Sequence, residues 1–406
     1  MSVTPGDEPL EPEANPFAAL FGAAGSPDLA SAFHRLGDLF SGQSGPVNWQ
    51  LARETALEQA GADDPGTSAA DARAVEEAIR LADLWLDPVT SLASGVTTTE
   101  AWSRRRWVEA TQPAWERLTD PVVGHVVAAM GSVLPEQAQA MAGPLLGVVR
   151  QIGGLVFGAQ LGQALGGLAG EVVSSTDIGL PLGPAGLAAL LPANVAAFGA
   201  GLELPVDDVR IFLALREATH HRLFRRVPWL PGYLTDAVET YAQGIRIDPG
   251  ALEEALREVD PTDAESLQRA LAGGLFEPQN TPGQQAALLR LETALALVEG
   301  WVDEVVDAAA DGHLPSAAAL GETVRRRRAS GGPAEQTLAT LVGLELRPRR
   351  AREAAGLWRA LRAARGIDGR DAVWSHQELL PDAGDLADPA GYVGRGGDEL
   401  DLSGLE

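Results

Sequence analysis

The run Arg216-Glu217-Ala218-Thr219-His220 concentrates the residue types that could do chemistry in this chain of 406 residues. It differs at one position from the pattern His-Glu-x-x-His. That pattern sets two imidazoles one helical turn apart so that both bind one zinc ion, and its Glu can polarise the metal-bound water. Here His220 stands as the second imidazole and Glu217 as the carboxylate, but Arg216 takes the first position. A guanidinium has only donors and ligates no metal. Taken by itself, a Glu-x-x-His on a helix also reads as a half-buried imidazole held by a hydrogen bond. The neighbouring His221 points about 100° away from His220 around a helix.

These residues need a helix to bring them together, and the flanking sequence supplies one over Val206–Val227. Pro205 ends what precedes it, and Asp207 and Asp208 put negative charge where a helix N-terminus favours it. Val209, Phe212, Leu213, Leu223, Phe224 and Val227 recur at three- and four-residue steps, so they share a face with Arg216 and His220. Pro228-Trp229-Leu230-Pro231 stops the helix, because proline cannot continue its hydrogen-bond ladder.

The rest of the chain reads as mainly helical with few or no strands. Helices are expected over Asn48–Ala60, Ala69–Leu86, Tyr233–Ile245 (carrying Glu239), Pro249–Val259, Thr262–Leu275, Gln284–Ala310 and Leu346–Arg365. Thr97–Glu100 reads as a hydroxyl N-cap opening another helix, and Ala185–Leu191 as a short helix inside a proline-rich connection. Phe17–Phe40 could hold short helices, and Thr337–Leu344 is a short apolar stretch. Any strands are expected as a short hairpin in the Gly/Pro regions. Met1–Pro16 is acidic and proline-rich, with little to bury and no secretory pattern; Leu379–Glu406 is an acidic tail expected to fray. One large helical domain over residues 17–378 lies between them.

Gly154, Gly158, Gly162, Gly166 and Gly170 recur at every fourth position, a smooth ridge that lets another backbone approach closely, within the chain or across a homo-oligomer. Ile152–Gly170 is uncharged and nearly long enough for a bilayer. Its glycines, Gln160 and Gln163, and the lack of flanking cations favour a buried helix over a membrane span. Trp102, Trp107 and Trp115 lie around Arg104-Arg105-Arg106; core anchoring with the arginines in water is favoured over an anion site. The basic run Arg325–Arg328 and the Arg-crowded helix after it could meet an acidic partner or the protein's own acidic surface, and are read as solvated faces.

A formal net charge of −25 disfavours nucleic acid as a partner. All basic residues other than His are Arg. Cysteine is absent, which rules out thiol nucleophiles, disulfides and Cys-bound zinc, and fits a reducing cytoplasm.

Beyond the motif, Leu213–Phe224 followed by Val227-Pro228-Trp229-Leu230 resembles a bacterial family of zincin-like metallopeptidases. So do Phe157-Gly158-Ala159-Gln160-Leu161-Gly162, Gly179-Leu180-Pro181-Leu182, Leu191-Pro192-Ala193-Asn194 and Val298-Glu299-Gly300-Trp301-Val302-Asp303, and the resemblance spans most of Phe17–Tyr392. It implies a mostly helical fold in which the metal-site helix packs beside a second helix that brings a Glu. By position, Glu217 matches the general base, His220 a zinc ligand, and Glu299 the second-helix glutamate. Arg216 departs from the pattern at the first ligand. His220 and Glu299 leave zinc short of the three protein ligands a hydrolytic site uses. Glu239, 19 residues after His220, lies near the spacing of some third ligands. Two expectations follow. One is a zinc hydrolase on His220, Glu299 and Glu239, impaired by Arg216. The other is a metal-free binding or scaffold protein with a peptide or protein partner, in which Arg216 pairs with Glu299 or Glu239 in the cation's place.

Overall fold

The computed structural model describes residues 45–132, 143–244, 281–331, 339 and 350–395. In chain order these form helices α1 (Trp49–Gly61) and α2 (Ala69–Leu86), strand β1 (Thr98–Ala101), α3 (Arg104–Ser132), α4 (Gly143–Glu171) and strand β2 (Leu187–Leu190). There follow α5 (Pro192–Gly199), α6 (Val206–Arg226), α7 (Leu230–Gln243), α8 (Pro282–Ala310), α9 (Ala317–Ser330), α10 (Ala351–Asp371), α11 (Ala383–Ala387) and α12 (Pro389–Arg395). The fold is mainly helical, as expected. Met1–Pro16, Phe17–Phe40, Pro249–Val259, Thr262–Leu275, most of Thr337–Leu344 and the chain beyond Arg395 lie outside the described residues.

The glycine ridge explains how α4 is seated. Its partner is α1, whose inner face is Ala52, Ala56 and Ala60. A Cβ at Gly158 would lie 2.6 Å from the Asn48 carbonyl oxygen, and one at Gly162 would lie 2.5 Å from that of Ala52. A Cβ at Gly166 would reach 2.8 Å from the Gln59 Cβ. Small residues on both sides let the two backbones nearly touch, so the ridge packs within the chain at Gly158, Gly162 and Gly166. No described helix is long and apolar enough to cross a membrane.

Two local expectations fail. Thr97–Glu100 does not open a helix; Thr98–Ala101 pairs in parallel with Leu187–Leu190, Thr98 opposite Leu187 and Ala101 opposite Leu190. Consecutive β-branched threonines favour extended backbone, and the cap of α3 is Ser103, whose hydroxyl accepts the Arg106 amide at 3.1 Å. Ala185–Leu191 likewise contributes strand β2, and a helix begins only at Pro192. The parallel pair replaces the expected hairpin, because β1 and β2 come from distant parts of the chain. Of the expected Leu346–Arg365 helix, residues 346–349 lie outside the described residues; α10 is described from Ala351, breaks at Gly366 (φ +72°) directly after Arg365 and continues to Asp371, and the segment after Leu379 carries α11 and α12, with Leu386 buried.

Helix α6 is surrounded by α2, α5, α8, α9 and β2. Trp102, Trp107 and Trp115 are core anchors, each at most 2% exposed, while Arg105 and Arg106 face solvent. Close approach recurs where α8 crosses α10: a Cβ at Gly300 would come within 2.6 Å of the Ala355 amide nitrogen. The second position of Glu299-Gly300-Trp301 therefore sets the helix crossing, and its neighbours on either side face inward.

The α1–α4 contact makes a prediction. Gly162→Val should lower unfolding free energy by about 1–3 kcal/mol through overpacking. Gly170→Ala, with nothing within 4 Å of its Cβ, should be neutral or stabilise by up to about 1 kcal/mol. Urea unfolding of both variants checks this; equal losses would show that the ridge does not make the contact.

Candidate functional site

From Phe212 to Leu223 every residue of α6 is buried, and this stretch includes Arg216, Glu217, His220, His221 and Arg222. Charges survive in such a place only when paired and hydrogen-bonded. Each is matched by a neighbouring element. Arg222 bonds Asp83 of α2, Asp87 just past its end and the Leu92 carbonyl. Gly95 lies against the His221 carbonyl, with no room for a side chain, so the loop after α2 lies directly on α6.

The structure gathers Arg216, His220 and Glu299 into one cluster. Arg216 is a fork between two α8 carboxylates, its Nη2 donating to Glu299 Oε2 at 2.6 Å and its Nη1 to Asp303. Glu299 and Asp303 are one helical turn apart, so α8 presents both to the same guanidinium. His220 Nδ1 faces the Arg216 carbonyl at 2.8 Å and Nε2 faces Glu299 Oε1 at 2.9 Å. Both ring nitrogens face oxygens of the chain itself. Arg328 of α9 also bonds Glu299. Burial alone would push the Glu299 carboxyl up, but Arg328, His220 and Arg216 outweigh it and hold it well below the usual range. Burial likewise works against the charge on Arg216, and Asp303 and Glu299 more than restore it.

Glu217 occupies a separate pocket on the adjacent face of α6. Its Oε1 accepts from the Ser175 hydroxyl and, at 2.9 Å, from the Ala189 amide of β2. Its Oε2 accepts from the Thr176 amide at 3.2 Å and hydroxyl at 2.5 Å. His221 Nε2 lies 3.2 Å from Oε1. Burial opposes ionisation here too, but His221, Ser175 and Thr176 win and take the carboxyl down to about 2. A carboxylate so stabilised and wholly buried is a weak base, whereas a general base works best near the operating pH.

The structure does not bring Glu239 into the cluster. It is exposed on α7, where it accepts from Gln243 one turn later. Its place beside Arg216 is taken by Asp303, which ends the run Val298–Asp303 but which spacing from His220 does not single out. Arg325–Arg328 also departs from the solvated reading. Arg325, Arg327 and Arg328 turn toward Asp303, Asp177 and Glu299, and only Arg326 is largely exposed. Four consecutive arginines sample every side of a helix, so three can face carboxylates across it. Asn194 was legible only as part of a motif. It donates to the Ala169 and Val172 carbonyls at the end of α4 and accepts from Arg104 at 2.9 Å, tying α5 to both helices.

This donor set does not fit zinc. His220 and Glu299 are the two candidate ligands in place, the third position holds a guanidinium, and both candidates already hydrogen-bond each other. Among the described residues no group of three or more His, Asp or Glu is arranged to hold a metal ion.

Residues 47–393 match the zincin-like metallopeptidase family, and the chain belongs to it. A crystal structure from Chloroflexus aurantiacus, described as "a putative hydrolase with a novel fold", superposes with a TM-score of 0.62 at 21% identity, covering 87% of this chain and 99% of that one. That likeness concerns the fold. No curated protein matches.

Two outcomes are expected. Glu299→Gln leaves Arg216 and Arg328 short of countercharge and should cost about 3–5 kcal/mol in unfolding free energy. Glu217 is depressed from 4.5 to about 2, so its contribution is fully present above about pH 4.5 and is lost as pH falls toward 2. Glu217→Gln should therefore flatten the acid limb of the stability–pH curve in that window; an unchanged limb would contradict the assignment.

Proposed function

We propose that this chain is a metal-free member of its family, in which the Arg216 guanidinium stands where zinc would be held, and that it works by binding a peptide or protein partner, or as a scaffold, rather than by hydrolysis. The observation that carries this reading is the fork of Arg216 onto Glu299 and Asp303. It supplies positive charge to the second-helix glutamate from within the chain, and it ties α6 to α8. The state of Glu217 supports the same reading. Its oxygens are taken up by Ser175, Thr176, Ala189 and His221, so the residue matching the general base serves packing between α6 and the segment before β2. The acidic balance of the chain argues for a protein or peptide partner over a nucleic acid.

Protein purified without an affinity tag should carry less than about a tenth of an equivalent of zinc by elemental analysis, because a buried ion pair already satisfies the ligands. Near-stoichiometric zinc would sink the proposal. A double-mutant cycle on Arg216→Met and Glu299→Gln should show a coupling of about 1–3 kcal/mol in unfolding free energy. Additive losses would mean that the pair does not act as a unit.

A further inference from the structure

The Glu299 carboxylate is shared by two arginine–aspartate pairs that arrive on different helices. Arg216 of α6 reaches its Oε2 at 2.6 Å and has Asp303 as its second partner. Arg328 of α9 reaches the same Oε2 and has Asp177 as its second partner, donating to the Asp177 carbonyl with its Nη2 3.9 Å from Oδ1. Asp177 is itself fixed by the Val173 amide at 2.9 Å and by Arg327. The other oxygen, Oε1, is closed by His220 Nε2 at 2.9 Å and by Gly179. Gly179 has φ +78°, and a Cβ there would lie 2.7 Å from Oε1. Among the described residues four groups thus close on this carboxylate, and three of them, Arg328, His220 and Gly179, are not residue 216.

We propose that metal exclusion is the work of two guanidinium groups, Arg216 and Arg328, so that an imidazole at position 216 alone leaves the site closed to zinc. This rests on the metal-free reading above and extends it to a residue outside the zinc motif. With Arg216 gone, Arg328 still sits on the ligand oxygen, and a dication binding there must approach a fixed like charge in a poorly screened interior. Opening the site requires the second cation to go as well.

The test titrates Zn²⁺ against a chelating fluorophore with four proteins: wild type, Arg216→His, Arg328→Gln and the double variant, each checked for fold by circular dichroism. The expected result is that wild type and both single variants bind zinc weakly or not at all, and that the double variant binds at least tenfold more tightly than Arg216→His. Tight stoichiometric binding by Arg216→His, with less than about a twofold gain from Arg328→Gln, overturns the proposal while leaving the metal-free reading intact. Stoichiometric zinc on wild type overturns that reading and this proposal together. If Arg216→His does not fold, the thermal melting of Arg216→Met, Arg328→Gln and their combination decides. Two groups on one oxygen predict non-additive shifts in Tm, and additive shifts overturn the proposal.

Discussion

The cluster is organised by one electrostatic constraint: the carboxylate of Glu299 is 2% exposed and must be neutralised where it stands. An ionised carboxylate in a protein interior persists only with close countercharge and a full set of hydrogen bonds. Here two arginines and a histidine from α6 and α9 meet that need, and the helices that supply them are thereby held against α8. The guanidinium carries only N–H donors, and those of Arg216 are directed at the Glu299 and Asp303 carboxylates.

The same device recurs elsewhere in the molecule, which makes the site one instance of a general habit. Arg222 joins α6 to α2 through Asp83 and Asp87. Arg370 joins α10 to α8 through Glu304 and reaches the Val89 carbonyl, while Asp371 accepts from Thr90, Ser91 and Trp301. In a chain with 56 acidic and 31 basic side chains, Arg216, Arg222 and Arg370 are buried beside carboxylates. The planar guanidinium suits this work because it can bond two acceptors on different elements at once.

Glu217 is held on both carboxylate oxygens by groups of the chain itself. The segment Val173–Gly179 serves both pockets. Ser175 and Thr176 donate to Glu217, Asp177 holds Arg327 and Arg328, and Gly179 lies against Glu299. Two carboxylates on different helices are therefore positioned by one short connection, and strand β2 completes the first pocket with its Ala189 amide.

Much of the helical framework was legible without coordinates. Repeats at three and four residues located α2, α6 and α8, and the four-residue glycine period announced a close backbone contact, which α1 makes. The chemistry of residue 216 was legible too, since no guanidinium ligates zinc. Thr98–Ala101 and Leu187–Leu190 were not, because a strand pair between distant segments is a long-range choice that local propensity records only weakly. Nor could the partners of Arg216 and Glu217 be read off. Helical geometry fixes the direction in which each side chain leaves its own helix, but what waits there depends on how other elements cross it. That is why Asp303 and Arg328, rather than Glu239, complete the cluster. The sequence by itself determined that a cation of the protein's own stands in the motif; only the packing of α6 against α8 and α9 decided which carboxylates it neutralises.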